Sequence, residues 1–479
     1  MIFNSTEFLI FFVILFALYW FLNKKSLGIQ NLLLLIGGYV FYAWTDWRLL
    51  SYLIAASLIN FYLGIAIEKA ISEKRRTLLL YTGLIQGIGG LLFFKYFNFF
   101  IISFDDLFRL FKININLQTL NIIIPLGISF FTFRTISYLL DINKGKINAT
   151  KNWVVFFVYV SFFPTILSGP IDRAKNFIPQ LEKHRQFDYC KAVEAIKQIL
   201  WGLFKKVVIA DTLARTVDEI FNKYGTSKAY SLIVVAIAYS FQMYADFSGY
   251  SDMAIGISKL LGFEVTPNFN YPFFAENIAE FWRKWHMSLT SWLTEYVFTP
   301  LSIFFRDYGK FGIILSIIIN FVICGFWHGA NWTFFVWGFL NGCYFIPLIL
   351  KGTFNKRKKP TPKKPLPTFR QFLNMLGTFL LVSFTLVIFR SNTLKDAYGY
   401  IKQIVVSTTK NPTQYFSMPP RLYVFYFIIP LVIIEWHFRY NNHFLSFKKN
   451  YLNRIFYLVI GLLIFLFMGQ EATFIYFKF

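Results

Sequence analysis

The sequence predicts an all-α polytopic integral membrane protein, and three observations carry that prediction. Of 479 residues 56% are hydrophobic and 21% aromatic, and mean hydropathy is positive, which a soluble domain does not show. Apolar runs approaching the ~20 residues a helix needs to cross hydrocarbon recur along the whole chain. Basic residues gather at alternate connections between successive runs, as the topology rule for cytoplasmic loops requires.

The runs begin at Phe8–Leu22, Gln30–Trp44 and Leu49–Ile67, and continue near 77–104, 121–140, 152–168, 194–212, 229–245, 311–326, 331–350, 371–389, 422–437 and 455–469. They suggest roughly eleven to thirteen membrane helices with some re-entrant segments. The first run lacks a preceding basic region and a following small-residue cleavage site, so it is expected to remain in the membrane rather than act as a cleaved signal.

A formal charge of +24 would suggest nucleic acid in a soluble protein; here it reads as topology, and no nucleic-acid partner is expected. Lys24 and Lys25, the stretch Lys69 to Arg76 and the stretch Lys144 to Lys151 fall between alternate runs. The amino terminus is therefore expected outside. Lys351 to Arg370 holds eight basic residues, no acidic ones and repeated prolines, the composition of a disordered cytoplasmic connector. Lys448, Lys449 and Arg454 mark one more inside loop, which leaves both termini outside.

One membrane domain spanning 1–479 is the economical division, with a motif-bearing core at about 121–350, the connector at 351–370 and further membrane helices over 371–479. No repeat, P-loop or dinucleotide fingerprint interrupts it. Cys190, Cys324 and Cys343 form no CxxC, so neither a disulfide framework nor a zinc site is indicated. Between Ser161 and Pro300 the apolar runs are short, proline-broken and rich in polar groups. Irregular backbone survives at membrane depth only where protein buries it or water lines it, so this half is expected to build a cavity. From Pro272 to Leu301, tryptophans alternate with charges as in an interfacial or re-entrant helix pair.

Two of the five histidines lie in hydrophobic sequence, His286 in Phe-Trp-Arg-Lys-Trp-His and His328 in Phe-Trp-His-Gly. His184, His437 and His443 belong to basic loops or their edges and read as solvated. His328 ends an apolar run beginning at Ile313 and leads into Gly329, Ala330 and Asn331, so an ionisable group sits where a helix breaks near membrane depth. Such a group is a functional candidate by default; the alternative is a core histidine satisfied by a neighbouring carbonyl. Near-neutral titration suits imidazole to taking a proton from an attacking hydroxyl, as acyl transfer from a thioester to an alcohol requires. Cys324, four residues earlier, would share a helix face with His328 and leaves a covalent acyl-cysteine route open. A metal held by His286 and His328 lacks a third ligand at a helpful spacing. Gln242, Asp246 and Asp252 form a second polar set that would bind a polar substrate or a proton, or else join helices by hydrogen bonds.

The residues resemble the membrane-bound O-acyltransferase (MBOAT) family, in its bacterial branch containing the alginate O-acetylation membrane protein. The opening Met-Ile-Phe-Asn-Ser-Thr-Glu-Phe-Leu, Pro125-Leu-Gly-Ile-Ser-Phe-Phe-Thr-Phe, Phe163-Pro-Thr-Ile-Leu-Ser-Gly-Pro-Ile-Asp-Arg173 and Asp246-Phe-Ser-Gly-Tyr-Ser-Asp-Met-Ala-Ile-Gly256 carry the likeness. Phe281-Trp-Arg-Lys-Trp-His286, Phe326-Trp-His-Gly329 and the closing Phe474-Ile-Tyr-Phe-Lys-Phe479 complete it.

That resemblance implies helices ringed about a central funnel or tunnel, His328 as proton acceptor, and His286 orienting substrate or stabilising charge. Trp285, Trp327 and Asn331, with the Gln242 set, would line the tunnel. It implies no bound cofactor, acetyl-coenzyme A or an acyl carrier as donor, an exported SGNH-type acyltransferase as partner, and a cell-surface polysaccharide as acceptor. Arg173, Lys175, Arg283 and Lys284 would meet donor phosphates. D-alanyl transfer to teichoic acid is the nearest alternative. A transporter or flippase using the same histidines and carboxylates, and a scaffold without chemistry, are the others.

Overall fold

The computed structural model describes residues 1–22, 26–113, 115, 117–356, 366–410, 425–440, 445–447, 449–469 and 474. Lys24, Lys25, His443, Lys448, residues 357–365 of the basic connector and all of the closing string except Phe474 lie outside the described residues. Among the described residues every regular element is helical, with no strand, as expected of a chain whose backbone groups must be satisfied within each lipid-facing segment.

Nine helices come first: α1 (Thr6–Leu22), α2 (Leu27–Ala43), α3 (Arg48–Lys69), α4 (Glu73–Leu91), α5 (Phe97–Leu110), α6 (Ile128–Asn143), α7 (Trp153–Ser161), α8 (Phe163–Ile166) and α9 (Ala174–Leu181). The middle of the chain forms α10 (Tyr189–Leu203), α11 (Asp211–Asn222), α12 (Ala229–Leu260), α13 (Ile278–Trp282), α14 (Met287–Leu293) and α15 (Thr299–Phe304). Then follow α16 (Gly309–His328), α17 (Trp332–Cys343), α18 (Ile346–Leu350), α19 (Phe369–Arg390), α20 (Leu394–Lys410), α21 (Phe425–Phe438) and α22 (Asn450–Phe467).

Seven stretches are helical, long and apolar enough to cross a membrane: Arg48–Lys69, Glu73–Leu110, Ala229–Leu260, Arg306–His328, Trp332–Leu350, Phe369–Arg390 and Asn450–Phe467. Thr6–Leu22, Leu27–Ala43 and Phe425–Phe438 are shorter apolar helices. Three runs that the sequence offers as spans form no such helix. The run at 121–140 becomes α6, of 16 residues. The run at 152–168 is cut between α7 and α8, where Pro164 stands at a helix start, because proline has no N–H to continue the α7 ladder. The run at 194–212 passes from α10 into a seven-residue π-helical stretch, Phe204–Ala210, before α11.

The described chain divides into two compact units, residues Met1–Ile196 with Ala254–Thr266, and Lys197–Met253 with Pro267–Phe479. In the first, α6 packs against α3, α4 and α7, and all its residues from Ile128 to Leu139 are buried. The helix starts at Gly127, whose φ of +70° suits glycine. Arg134, 1% exposed, donates to the carbonyls of Tyr159 at 3.1 Å and Val160 at 3.2 Å, and to Thr165. The α7 break frees carbonyls that must find donors at low dielectric, and Arg134 supplies them.

In the second unit α16 and α17 form a hairpin whose backbones touch. A Cβ at Gly325 would meet the carbonyl of Phe334, and one at Gly338 the carbonyl of Phe321. Lipid supplies no hydrophobic drive between helices, so small residues that allow close approach hold such pairs by dispersion contact. The hairpin in turn packs against α19. Outward faces in both units are apolar, including Leu9, Val13 and Ile14 on α1 and Leu458, Phe465 and Leu466 on α22. The protein is a multi-pass membrane protein and the bilayer is its solvent.

Candidate functional site

His286 and His328 both belong to the second unit, and its aromatic packing brings them to one tryptophan. His328 is the last residue of α16; Gly329 then runs extended, and Asn331 caps α17 by accepting from the Thr333 N–H at 3.0 Å. The imidazole is 6% exposed, edge-on to Trp337 of α17 at 5.3 Å and to Phe389 of α19 at 5.2 Å. His286 lies between α13 and α14 with φ 44° and ψ 52°, the left-handed region, and is 1% exposed. Phe247 of α12 meets its ring edge-on at 4.6 Å. The Trp327 indole is 5.7 Å from the His286 ring and 4.9 Å from that of His328. Two buried imidazoles from segments far apart in sequence thus flank a single side chain.

His286 lies outside the long apolar helices, and burial pushes its pKa down from the usual 6.5 to about 3, because charging an imidazole away from water is costly. A neutral ring has one nitrogen to accept and one to donate. It orients an acyl carbonyl or an attacking hydroxyl without adding a fixed charge.

Polar atoms without hydrogen-bond partners among the described residues lie on the elements around His328. They are Trp282 Nε1 on α13, Asn320 Oδ1 on α16 and Thr333 Oγ1 on α17. Trp282 packs on Phe321 at 4.9 Å and Trp337 at 5.8 Å. Asn320, Cys324 and His328 repeat every fourth residue, so they share a face of α16. Such groups are uncommon in a buried core and offer contacts to a polar ligand. The sequence does signal Asn320, as an amide within an apolar run.

The remaining candidates stand one contact or more from the two imidazoles. Trp285 stacks on Phe281 at 5.4 Å and meets Phe269 edge-on at 5.1 Å, and Phe269 in turn meets Phe247, the ring against His286, at 5.0 Å. Asn331 spends its amide on Asn392 O at 2.7 Å besides the cap. Asp246 pairs with Lys206 Nζ at 2.9 Å, which also reaches Asp211 at 2.7 Å. Asp252 pairs with Lys205 Nζ at 2.6 Å and accepts from Gln198 at 2.8 Å. These carboxylates are engaged in buried ion pairs, and Lys205 and Lys206, hidden in an apolar run, escape the sequence reading. Gln242 is 6% exposed and its Oε1 has no hydrogen-bond partner among the described residues.

Among the basic candidates, Arg283 is exposed and donates to Phe354 O at 3.3 Å, while Lys284 pairs with Glu280 at 2.8 Å. Arg173, buried, and Lys175, exposed, belong to the first unit. Among the described residues no group of three His, Cys, Asp or Glu side chains comes together as a metal would need.

Comparison with known proteins follows the same residues. The family model described as "MBOAT, membrane-bound O-acyltransferase family" matches residues 149–353, which include both histidines. The chain is 36% identical to the Azotobacter vinelandii protein named "Probable alginate O-acetylase AlgI", over 83% of this chain and 77% of that one. It is 30% identical to the "Peptidoglycan O-acetyltransferase" of Helicobacter pylori over 100% of this chain and 98% of the other. It is 31% identical to the "Teichoic acid D-alanyltransferase" of Streptococcus thermophilus over 57% and 69%. With histidines paired across Trp327 and relatives matched over most of their length, the chain belongs to the membrane-bound O-acyltransferase family and is an O-acyltransferase.

Proposed function

We propose that this enzyme moves an acetyl group from a cytoplasmic thioester, acetyl-coenzyme A, toward a hydroxyl of a cell-surface or exported polysaccharide, and that His328 is its base. The observation that carries this reading is the pair of buried imidazoles about Trp327. The His328 imidazole takes the proton of the attacking hydroxyl as its oxygen adds to the thioester carbonyl. The carbon–sulfur bond then breaks and the thiolate leaves with that proton as free thiol. His286, neutral, orients the reacting carbonyl or hydroxyl. Water-excluding rings raise the strength of each such contact.

The protein resides in the bacterial cytoplasmic membrane with its amino terminus outside. Acyl groups enter from the basic inner side, where Arg283 and Lys284 meet donor phosphates, and pass to an exported SGNH-type acyltransferase. An acetyl donor is favoured over D-alanyl because the acetylase relatives cover more of the chain than the D-alanyltransferase does. The D-alanyl reading keeps the same chemistry, with an acidic carrier protein docking on the basic face.

Expression of His328→Ala at normal membrane levels, followed by mild alkaline release of esters from whole cells, tests the assignment. Released acetate is expected to vanish. Unchanged acetate would sink the catalytic role, and release of D-alanine from the parent strain would move the donor to the alternative.

A further inference from the structure

We propose that Asn268 is a positioning residue that sets the direction of the His286 imidazole; this rests on the reading that the histidine pair about Trp327 carries the transfer, with His328 as its base. His286 has a left-handed backbone, φ 44° and ψ 52°, a region that a residue with a Cβ keeps only when its surroundings over-determine it. Asn268, 0% exposed, supplies that constraint from three sides. Its backbone carbonyl accepts from the Met287 N–H at 2.8 Å. Its Oδ1 accepts from the Ser288 hydroxyl at 2.6 Å and more weakly from the Ser288 N–H at 3.4 Å. Its Nδ2 donates to Ser251 Oγ on α12 at 3.1 Å.

The anchor on α12 matters because the same helix face holds the ring. Phe247 stands one turn before Ser251 and meets the His286 imidazole edge-on at 4.6 Å. Backbone and ring of His286 are therefore both referenced to α12. That helix is fixed at flanking positions by the Lys206–Asp246 and Lys205–Asp252 pairs. Were the turn to relax to the right-handed region, the Cα–Cβ bond would swing and carry the imidazole off Phe247 and Trp327. An asparagine suits the place: its amide joins an acceptor for Ser288 to a donor for Ser251, and glutamine would be one methylene too long.

Catalysis tolerates such a swing poorly, since a displacement of about 1 Å can cost on the order of a hundredfold in rate. The test places Asn268→Ala, Asn268→Asp, Ser288→Ala and His328→Ala in cells lacking the native chain. Alkali-released acyl groups, acetate or D-alanine, are measured early in accumulation and divided by the amount of membrane protein. Asn268→Ala is expected to lose about tenfold or more per molecule. Asn268→Asp keeps the acceptor, and the Ser251 hydroxyl can turn to donate, so it is expected to recover to within about threefold.

A role in folding alone would lower protein and leave ester per molecule unchanged, which would overturn the proposal. So would an Asp variant no better than Ala. Should Asn268→Ala fail to accumulate, Ser288→Ala decides, with about a threefold loss per molecule expected and none overturning it. The His328→Ala arm separates the two failures. Loss there with full activity in the Asn268 variants removes this proposal alone, whereas full activity in His328→Ala removes the reading beneath it.

Discussion

At the scale of single residues, His286 links folding to pH. Its pKa is about 3 in the folded chain and about 6.5 when unfolded, so the unfolded state binds the proton first. The stability this neutral histidine allows is whole above pH 6.5 and is lost as pH falls toward 3. At pH 5 the loss amounts to about 2 kcal/mol. Thermal unfolding of detergent-purified protein at pH 7 and pH 5 should therefore show less acid destabilisation in His286→Gln than in the parent; equal slopes would mean that the imidazole charges freely. Lys206 makes a second test. Held between Asp211 and Asp246, it cannot leave without stranding two buried carboxylates, and Lys206→Met is expected to destabilise by about 3–5 kcal/mol. Asp246→Asn leaves Lys206 its Asp211 partner and should cost less, measured by the same melts.

At the scale of elements, the α16–α17 hairpin is what sets His328 in place. Its backbones touch at Gly325 and Gly338, so any larger side chain must part the helices and draw His328 away from Trp337 and Phe389. Gly338→Leu is expected to cost roughly 2–4 kcal/mol, somewhat beyond ordinary overpacking because the obstacle is backbone. It should also reduce ester formation per molecule, whereas Gly377→Leu on α19, with nothing near its Cβ, should change neither. Ester assays with quantified membrane protein compare the two. This glycine seam shows why some elements are legible in the sequence and others are not. The apolar run before His328, and the break after it, are written locally in hydropathy and in Gly329-Ala330-Asn331. The same holds for the tryptophan–histidine strings. Partners distant in the chain leave no local periodicity: Asn268 reads as an ordinary loop amide, and Lys205 and Lys206 read as an interruption of an apolar run. Proline-broken segments such as 152–168 pass for spans because hydropathy averages over the break that Arg134 repairs.

At the scale of the whole molecule, the proposed transfer needs defined sides. An acyl donor from the cytoplasm and an acceptor outside it require that basic segments face inward, where retention of Lys and Arg sets orientation. Lys351, which opens the basic connector, is exposed, and the amino-terminal Thr6 is exposed as well. Their sides can be read with a membrane-impermeant maleimide after the exposed Cys190 is replaced by serine. Thr6→Cys should label in spheroplasts and be protected in inverted vesicles; Lys351→Cys should do the reverse. Labelling of both in spheroplasts would make the number of crossings between them even and would place the basic connector with the acceptor. The basic inner side from which acyl groups are proposed to enter would then lack its connector, and the inward route for acetyl-coenzyme A would fail even with both histidines in place. Opposite labelling leaves an odd number of crossings between residues 6 and 351, so that the chain passes from the acceptor side to the donor side over the segment containing both histidines.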